Sequence, residues 1–95
     1  MRIKTPVKGG ICESLMGRDK GNLYAVLEVL SADYLLVVDG KLKKLSCPKK
    51  KNLKHVRLIN ANASEYGADF SNGKVHDSEI AYALKQYAKQ IKVGG

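Results

Sequence analysis

The cationic side chains of this sequence are concentrated in one stretch. Residues 40–60 contain eight lysine and arginine residues and no carboxylate, whereas the other 74 residues hold nine basic and nine acidic groups. The formal net charge of +8 therefore belongs to that stretch. A positive field localised in this way favours a polyanionic partner, with nucleic acid ahead of an anionic membrane surface or an acidic protein.

A second group of candidate contact residues lies at Gly17-Arg18-Asp19-Lys20-Gly21. Glycine accepts the positive φ angles of tight chain reversals, so the segment is predicted to be a turn with Arg18 and Lys20 projecting from its tip. There, both backbone and side chains can approach a phosphate group closely. The alternative is an ordinary solvated turn in which Asp19 neutralises one positive charge.

Residues for catalysis or metal binding do not occur at the spacing that such chemistry requires. The sequence contains no Ser-His-Asp or Cys-His arrangement, no paired-carboxylate motif and no phosphate-binding GxxxxGK[ST] loop. Two histidines, His55 and His76, are too few and too far from a cysteine pair to suggest a metal site, and Cys12 and Cys47 form no CxxC pair, which favours reduced thiols. We therefore predict a protein that is not an enzyme and holds no cofactor or metal.

Short apolar segments joined by glycine and aspartate turns predict a mainly β fold, a small antiparallel barrel. The predicted strands are residues 11–16, 23–30, 34–38, 41–45 and 53–59. In the second of them, period-two alternation predicts Ala25 and Leu27 inward and Tyr24 and Glu28 outward. Residues 47–52 are predicted to be an exposed loop, because proline interrupts a strand and three adjacent ammonium groups repel one another.

A C-terminal α-helix is predicted over residues 77–92, after a polar segment, residues 61–76, that we interpret as a flexible linker. Asp77 or Ser78 can cap this helix. Its apolar stripe must pack either on the barrel, residues 1–60, or on a partner. The stripe consists of Ile80, Leu84, Tyr87 and Ile91.

The first hairpin resembles the KOW motif, a strand-loop-strand unit shared by several ribosomal proteins and a transcription-elongation factor. The matching parts are Ile11 to Met16, the turn from Gly17 to Gly21, and Leu23 to Leu30. The longer order, through Val38-Asp39-Gly40 and Lys54-His55-Val56-Arg57-Leu58, looks like the small KOW-domain RNA-binding proteins related to the archaeal and eukaryotic large-subunit ribosomal protein of the fourteen-e type. This resemblance covers roughly residues 7–60.

The resemblance implies an SH3-like barrel that binds RNA through the first hairpin loop and nearby basic residues. Carried over to this sequence, it indicates Arg18, Lys20, Lys43, Lys44, Lys54 and Arg57. The charge cluster adds Lys41, Lys49, Lys50, Lys51 and His55. Ribosomal RNA is the expected partner, together with ribosomal proteins. The C-terminal part departs from the ribosomal pattern, which has a long basic extension.

The remaining predictions concern location and the competing classes of function. The N-terminal residues lack the apolar run of a signal peptide, and no stretch is long enough to span a bilayer, so an intracellular, cytoplasmic protein without a membrane role is expected. A protein-interaction adaptor is the main alternative, because SH3-like barrels also bind proteins. The run Pro48-Lys49-Lys50-Lys51 also fits a nuclear address.

Overall fold

Five strands and one helix make up the chain. The computed structural model describes residues 5–71 and 73–93. Its strands form one antiparallel sheet in the order β4-β3-β2-β1-β5, so the predicted mainly β fold with a C-terminal helix is confirmed. The elements are β1 (Gly10–Ser14), β2 (Leu23–Val29), β3 (Tyr34–Val38), β4 (Lys49–Asn52), β5 (Val56–Asn62) and α1 (Asp77–Val93), with 3₁₀ turns at Leu53–His55 and Ala63–Tyr66.

The sheet curls into a barrel-like shape. Strands β4 and β5 are at opposite edges of the sheet, yet only the three residues Leu53–His55 separate them in sequence. A connection this short forces the two edges towards each other. The backbone N–H of Leu15, just after β1, donates a 2.9 Å hydrogen bond to the His55 carbonyl, which joins the connection to the first hairpin.

Both faces of the curled sheet are apolar. The interior holds one cluster of buried side chains, formed by Cys12, Tyr24, Val26, Leu35, Val37 and Val56. The outer face of β1, β2 and β3 carries a second cluster, which α1 and the segment after β5 cover. Its buried members are Ile11, Ala25, Val38, Ile59, Ala63, Ala68, Phe70, Ile80, Ala83 and Leu84.

The predicted orientation of Tyr24 is wrong. Its side chain is 2% exposed and lies inside the barrel, whereas Ala25 and Leu27 pack on the side that the helix covers. The alternation is real, but the helix makes the second face of β2 apolar as well. Residues 23–27 are apolar on both faces, and Glu28, the polar residue that suggested an outer face for Tyr24, lies beyond a register shift that follows Val26. The orientation of Glu28 therefore did not report that of Tyr24.

The predicted strand at 41–45 is also wrong, since these residues form a compact loop. The Asp39 carboxylate accepts hydrogen bonds from the backbone N–H groups of Lys41 and Lys43, at 2.9 and 2.8 Å. The backbone N–H groups of Asp39 and Gly40 donate to the Lys43 carbonyl, at 2.8 and 3.2 Å. A side-chain acceptor at the end of a strand thus replaces the ladder that the Lys-Leu alternation suggested.

The last part of the predicted 47–52 loop is instead strand β4, which pairs with β3 from Val37–Lys49 to Tyr34–Asn52. Repulsion among the three lysines does not prevent this pairing, because successive side chains of a strand point to opposite faces. Lys49 and Lys51 therefore point one way, towards an acidic partner, and Lys50 points the other way.

The segment between β5 and α1 contributes to the core, through Ala63, Ala68 and Phe70. The helix packs on the same cluster through Ile80, Ala83 and Leu84. Its first turn is closed by Glu79, whose carboxylate accepts a 2.8 Å hydrogen bond from the His76 N–H. The side chain of Ile91 lies outside the described part of the structure. No helix among the described residues is long and apolar enough to cross a membrane.

Candidate nucleic-acid interface

Two loops that carry predicted contact residues leave the sheet at the same end. The β1–β2 loop, residues 15–22, precedes Leu23, and the β3–β4 loop, residues 39–48, follows Val38. Strands β2 and β3 are antiparallel and Ala25 pairs with Val38, which places the two loops side by side. We call this region, residues 15–22 and 39–48, the basic end.

The glycine turn of the basic end has the geometry expected from its sequence. Gly17 and Gly21 have φ angles of 89° and 92°, which other residues rarely adopt. The Gly21 N–H donates to the Ser14 carbonyl at 2.8 Å and closes the loop. Arg18 and Lys20 are exposed, whereas Asp19 between them turns inward. The turn therefore separates its two cations from its carboxylate.

The Asp19 carboxylate is a shared hydrogen-bond acceptor for residues of β1, β2 and β4. It receives hydrogen bonds from the hydroxyls of Ser14 and Tyr24, at 2.9 and 2.7 Å. The ammonium groups of Lys49 and Lys51 donate to it at 2.9 and 3.1 Å. Asp19 was not predicted as an organising residue. Its position between two glycines suggested a turn, but nothing in the sequence named its partners.

Charge and burial act against each other at Asp19, whose side chain is 12% exposed. Burial alone would raise the pKa of this carboxyl, but the hydrogen bonds from Lys49, Tyr24, Ser14 and Lys51 lower it well below its ordinary value. The same burial, together with the bond to Asp19, raises the pKa of the Tyr24 hydroxyl. Asp19 is therefore a permanent anion under neutral conditions, and it neutralises cations of β4.

Two of the eleven predicted contact residues are held inside this network. The side chain of Lys51 is 8% exposed and its ammonium group also donates to the Ser14 hydroxyl at 2.8 Å. Lys49 is 33% exposed and pairs with Asp19 from the rim. Lys51 is therefore a buried residue whose ammonium group is directed towards Asp19 and Ser14 and away from solvent.

The β3–β4 loop presents other lysines to solvent. Lys41 and Lys44 are exposed and Lys43 is half-buried. Leu42 between them is 82% exposed, so it contributes nothing to the core. The order of this loop comes from the Asp39 carboxylate, which accepts from two of its backbone N–H groups.

The other predicted residues are spread around the barrel. The Lys50 ammonium lies 4.5 Å from the centroid of the Tyr34 ring, and Tyr34 is 38% exposed. Lys54 and His55 are exposed on the 3₁₀ turn that hydrogen-bonds to Leu15 beside the glycine turn. The structure thus brings the 3₁₀ turn close to the first loop, while Lys50 occupies a separate face of β4.

Arg57 is exposed but has an acidic neighbour. Its Nε and Nη2 atoms both donate to Oε1 of Glu13, at 3.0 and 2.6 Å, across the β1–β5 pair. The guanidinium side chain remains 60% exposed. An exposed ion pair of this kind contributes little to stability, so it leaves Arg57 accessible to a stronger anion.

The described residues contain no group of three or more His, Cys, Asp or Glu side chains that could hold a metal ion. Cys12 is buried in the barrel, where burial raises the pKa of its thiol to about 12, and Cys47 is exposed. These thiols lie in different environments, one in the core and one on the β3–β4 loop.

Comparison with known proteins finds relatives for half of the chain. Over 48 residues the chain is 42% identical to the large ribosomal subunit protein eL14 of Methanococcus vannielii and 40% identical to that of Methanococcus maripaludis. Each match covers 50% of this chain and 56% of the relative, so the chain spans about half the length of these proteins. No family model matches the chain. The resemblance to the fourteen-e type of ribosomal protein is confirmed over those residues.

Proposed function

We propose that this chain is a non-catalytic protein that binds structured ribosomal RNA through the basic end. The observation that carries the proposal is the pairing of two ordered loops at one end of the sheet, each of which displays exposed cations. The relationship to proteins named as large-subunit ribosomal proteins supports RNA as the polyanion. Ribosomal proteins are the expected neighbours, and cytoplasmic ribosomes the expected location.

Phosphate contact is the chemistry that this surface suits best. Lysine and arginine side chains neutralise phosphates and release condensed counterions, which supplies affinity without reading sequence. The candidate contacts at the basic end and on the adjoining 3₁₀ turn are exposed Arg18, Lys20, Lys41, Lys44, Lys54 and His55, with half-buried Lys43. Exposed Lys50 and Arg57 and half-buried Lys49 lie outside the basic end and are secondary candidates. We leave Lys51 out of the proposed contacts, because its ammonium group is already bound to Asp19 and Ser14.

The ordered backbone of the two loops holds their cations at set positions, which can favour RNA of a matching shape. Folded RNA presents phosphates at set positions, and double-stranded RNA is recognised largely by its shape. The glycine turn and the Asp39-bonded loop hold their cations on short, hydrogen-bonded segments. We therefore propose that the β3–β4 loop captures phosphates and that Arg18 and Lys20 set the orientation of the RNA.

Charge reversal on the β3–β4 loop tests the proposal. The variant Lys43→Glu with Lys44→Glu should weaken binding to in vitro transcribed large-subunit ribosomal RNA by at least about tenfold, because two attractive contacts become repulsive. The matched control is Lys85→Glu with Lys89→Glu, which makes the same charge change at two exposed positions of α1. Filter binding at fixed salt measures both variants.

Comparison with the helix variant shows which results would contradict binding through the basic end. If the loop variant and the helix variant lose affinity equally, binding follows net charge alone and the basic end has no special role. If a folded loop variant binds as tightly as the unmodified protein, the loop does not contact RNA. Circular dichroism and thermal melting confirm that each variant is folded before its affinity is interpreted.

Sedimentation of cell extract tests the ribosomal partner. The protein should migrate with the large subunit on a sucrose gradient and should leave it after ribonuclease treatment or a high-salt wash. Migration near the top of the gradient, unchanged by ribonuclease, would contradict the proposal. A salt-insensitive complex that survives ribonuclease would favour the adaptor alternative.

A further inference from the structure

The first turn of α1 is bonded to the β3–β4 loop. The Asp77 carboxylate accepts a 2.8 Å hydrogen bond from the Leu45 backbone N–H, at the end of the segment that carries Lys41 and Lys44. This bond joins residues 32 positions apart in the chain. The sequence offers Asp77 or Ser78 as the helix cap, but the Asp77 carboxylate is directed at the loop, and Glu79 accepts from the His76 N–H.

A close backbone approach to the helix lies near the start of the same loop. Gly40 packs directly on the helix: a Cβ atom placed there would collide with the Asp77 carbonyl oxygen and would lie 2.8 Å from the Ala81 nitrogen. The loop therefore meets α1 at two points, Gly40 near its start and Leu45 further along. Between these two points its conformation is fixed by the Asp39 carboxylate.

We propose that Asp77 is a positioning residue for RNA binding, which holds the β3–β4 loop through Leu45 so that Lys41 and Lys44 face the RNA together. This inference rests on the proposed function. The helix would then serve recognition without touching the ligand. A loop released at Leu45 keeps the Asp39 bonds to Lys41 and Lys43, but Lys44 is no longer held in position relative to Lys41. Its contact with RNA must then overcome the entropy of ordering it.

Loss of the Asp77 charge and loss of its hydrogen bond should change RNA affinity in opposite directions. A carboxylate near a phosphate-binding loop opposes binding, so removal of its charge alone should strengthen RNA binding slightly. Removal of its hydrogen bond should weaken binding. Asparagine removes the charge and keeps a carbonyl oxygen that can accept from Leu45, whereas alanine removes both. The two variants therefore separate positioning from electrostatics.

The experiment compares Asp77→Ala and Asp77→Asn in the full chain, with in vitro transcribed large-subunit ribosomal RNA as the probe. We expect Asp77→Ala to weaken binding about fivefold and to reduce the steepness of the salt dependence, since fewer phosphates are contacted at once. Asp77→Asn should bind at least as tightly as the unmodified protein. Equal affinity of the two variants would overturn the proposal.

A double-mutant cycle tests whether Asp77 acts through the loop lysines. In a protein that already carries Lys41→Ala and Lys44→Ala, the additional change Asp77→Ala should have no further effect on affinity. The same fivefold loss in that background would show that Asp77 acts elsewhere, and it would overturn the proposal. If the lysine double variant itself binds as tightly as the unmodified protein, Lys41 and Lys44 do not contact RNA. In that case the proposed function of the basic end is wrong.

A measurement on the unmodified protein covers the case in which Asp77→Ala does not fold. If Asp77 positions the loop for RNA, bound RNA must in turn stabilise the Asp77–Leu45 bond, because coupling between sites is reciprocal. Amide hydrogen exchange at Leu45 should slow at least threefold when the RNA is added. Unchanged exchange at Leu45, in a sample where the RNA is bound, would overturn the proposal.

Discussion

Asp19 shows how one carboxylate can change the role of several cations. Its neighbours in sequence, Arg18 and Lys20, stay exposed, while Lys49 and Lys51 are directed towards it from β4. The sequence predicted the turn, because paired glycines are a local signal. The bonds to β4 depend on residues 30 and 32 positions away, and local patterns carry no information about such pairs.

Replacement of this carboxylate should be costly. Asp19→Asn leaves the ammonium group of Lys51 buried without an anion, and loss of one partner of a buried pair is strongly destabilising. We expect the free energy of unfolding to fall by about 3 kcal/mol. Urea denaturation measures it, with Asp33→Asn as the control, because Asp33 is exposed on the β2–β3 turn and its replacement should cost less than about 0.5 kcal/mol. Equal losses in both variants would contradict the network.

The same carboxylate predicts how stability depends on pH. The pKa of Asp19 is lowered in the folded protein from an ordinary value of 3.8. Its contribution is therefore fully present above about pH 4 and is lost as the pH falls from there towards the lowered pKa. Urea midpoints of the unmodified protein should decrease between pH 5 and pH 3 more steeply than those of Asp19→Asn. Parallel curves would show that Asp19 ionisation does not contribute.

Gly40 sets the distance between the β3–β4 loop and α1. Gly40→Ala should lower the free energy of unfolding by about 3 kcal/mol, because the new methyl group meets helix backbone and the φ of 78° is strained for alanine. Gly21→Ala is the matched control, with a φ of 92° and no heavy atom within 4 Å of the added carbon. That control should cost about 1 kcal/mol. Thermal melting compares them, and equal losses would contradict the close packing.

Strands and loops differ in how well the sequence predicted them. Strand β3 has the predicted bounds, since an apolar β-branched run has few other structures open to it. Strand β4 was missed because three lysines suggested mutual repulsion, which opposite faces relieve. The exposure of Arg18 and Lys20 followed from their turn, but the burial of Lys51 did not, because it depends on Asp19 and Ser14 across the barrel.

The whole molecule has a smaller accessible positive surface than its number of lysine and arginine residues suggests. Lys49 and Lys51 share Asp19, and Arg57 shares Glu13. The exposed cations of the basic end and the adjoining 3₁₀ turn remain for solvent and ligand. The count of seventeen lysine and arginine residues therefore overstates the number of phosphates that can be neutralised.

That distribution predicts the salt dependence of RNA binding. Contact with about five phosphates gives a slope near −4 when the logarithm of the binding constant is plotted against the logarithm of the salt concentration. The magnitude of this negative slope should decrease by about 2 in the variant Lys43→Glu with Lys44→Glu. It should not change in the variant Lys85→Glu with Lys89→Glu. Fluorescence anisotropy across a salt series measures it. A slope near zero for the unmodified protein would contradict electrostatic capture.

The position of β4 at the edge of the sheet has a consequence for self-association. An edge strand offers unpaired backbone groups to a second copy of the chain, which is a common start of aggregation. Three of the four residues of β4 are lysines. Lys49 and Lys51 are paired with Asp19, so Lys50 is the lysine of β4 whose side chain is exposed at that edge. A second copy aligned on that edge would meet the positive charge of Lys50, which opposes edge-to-edge pairing.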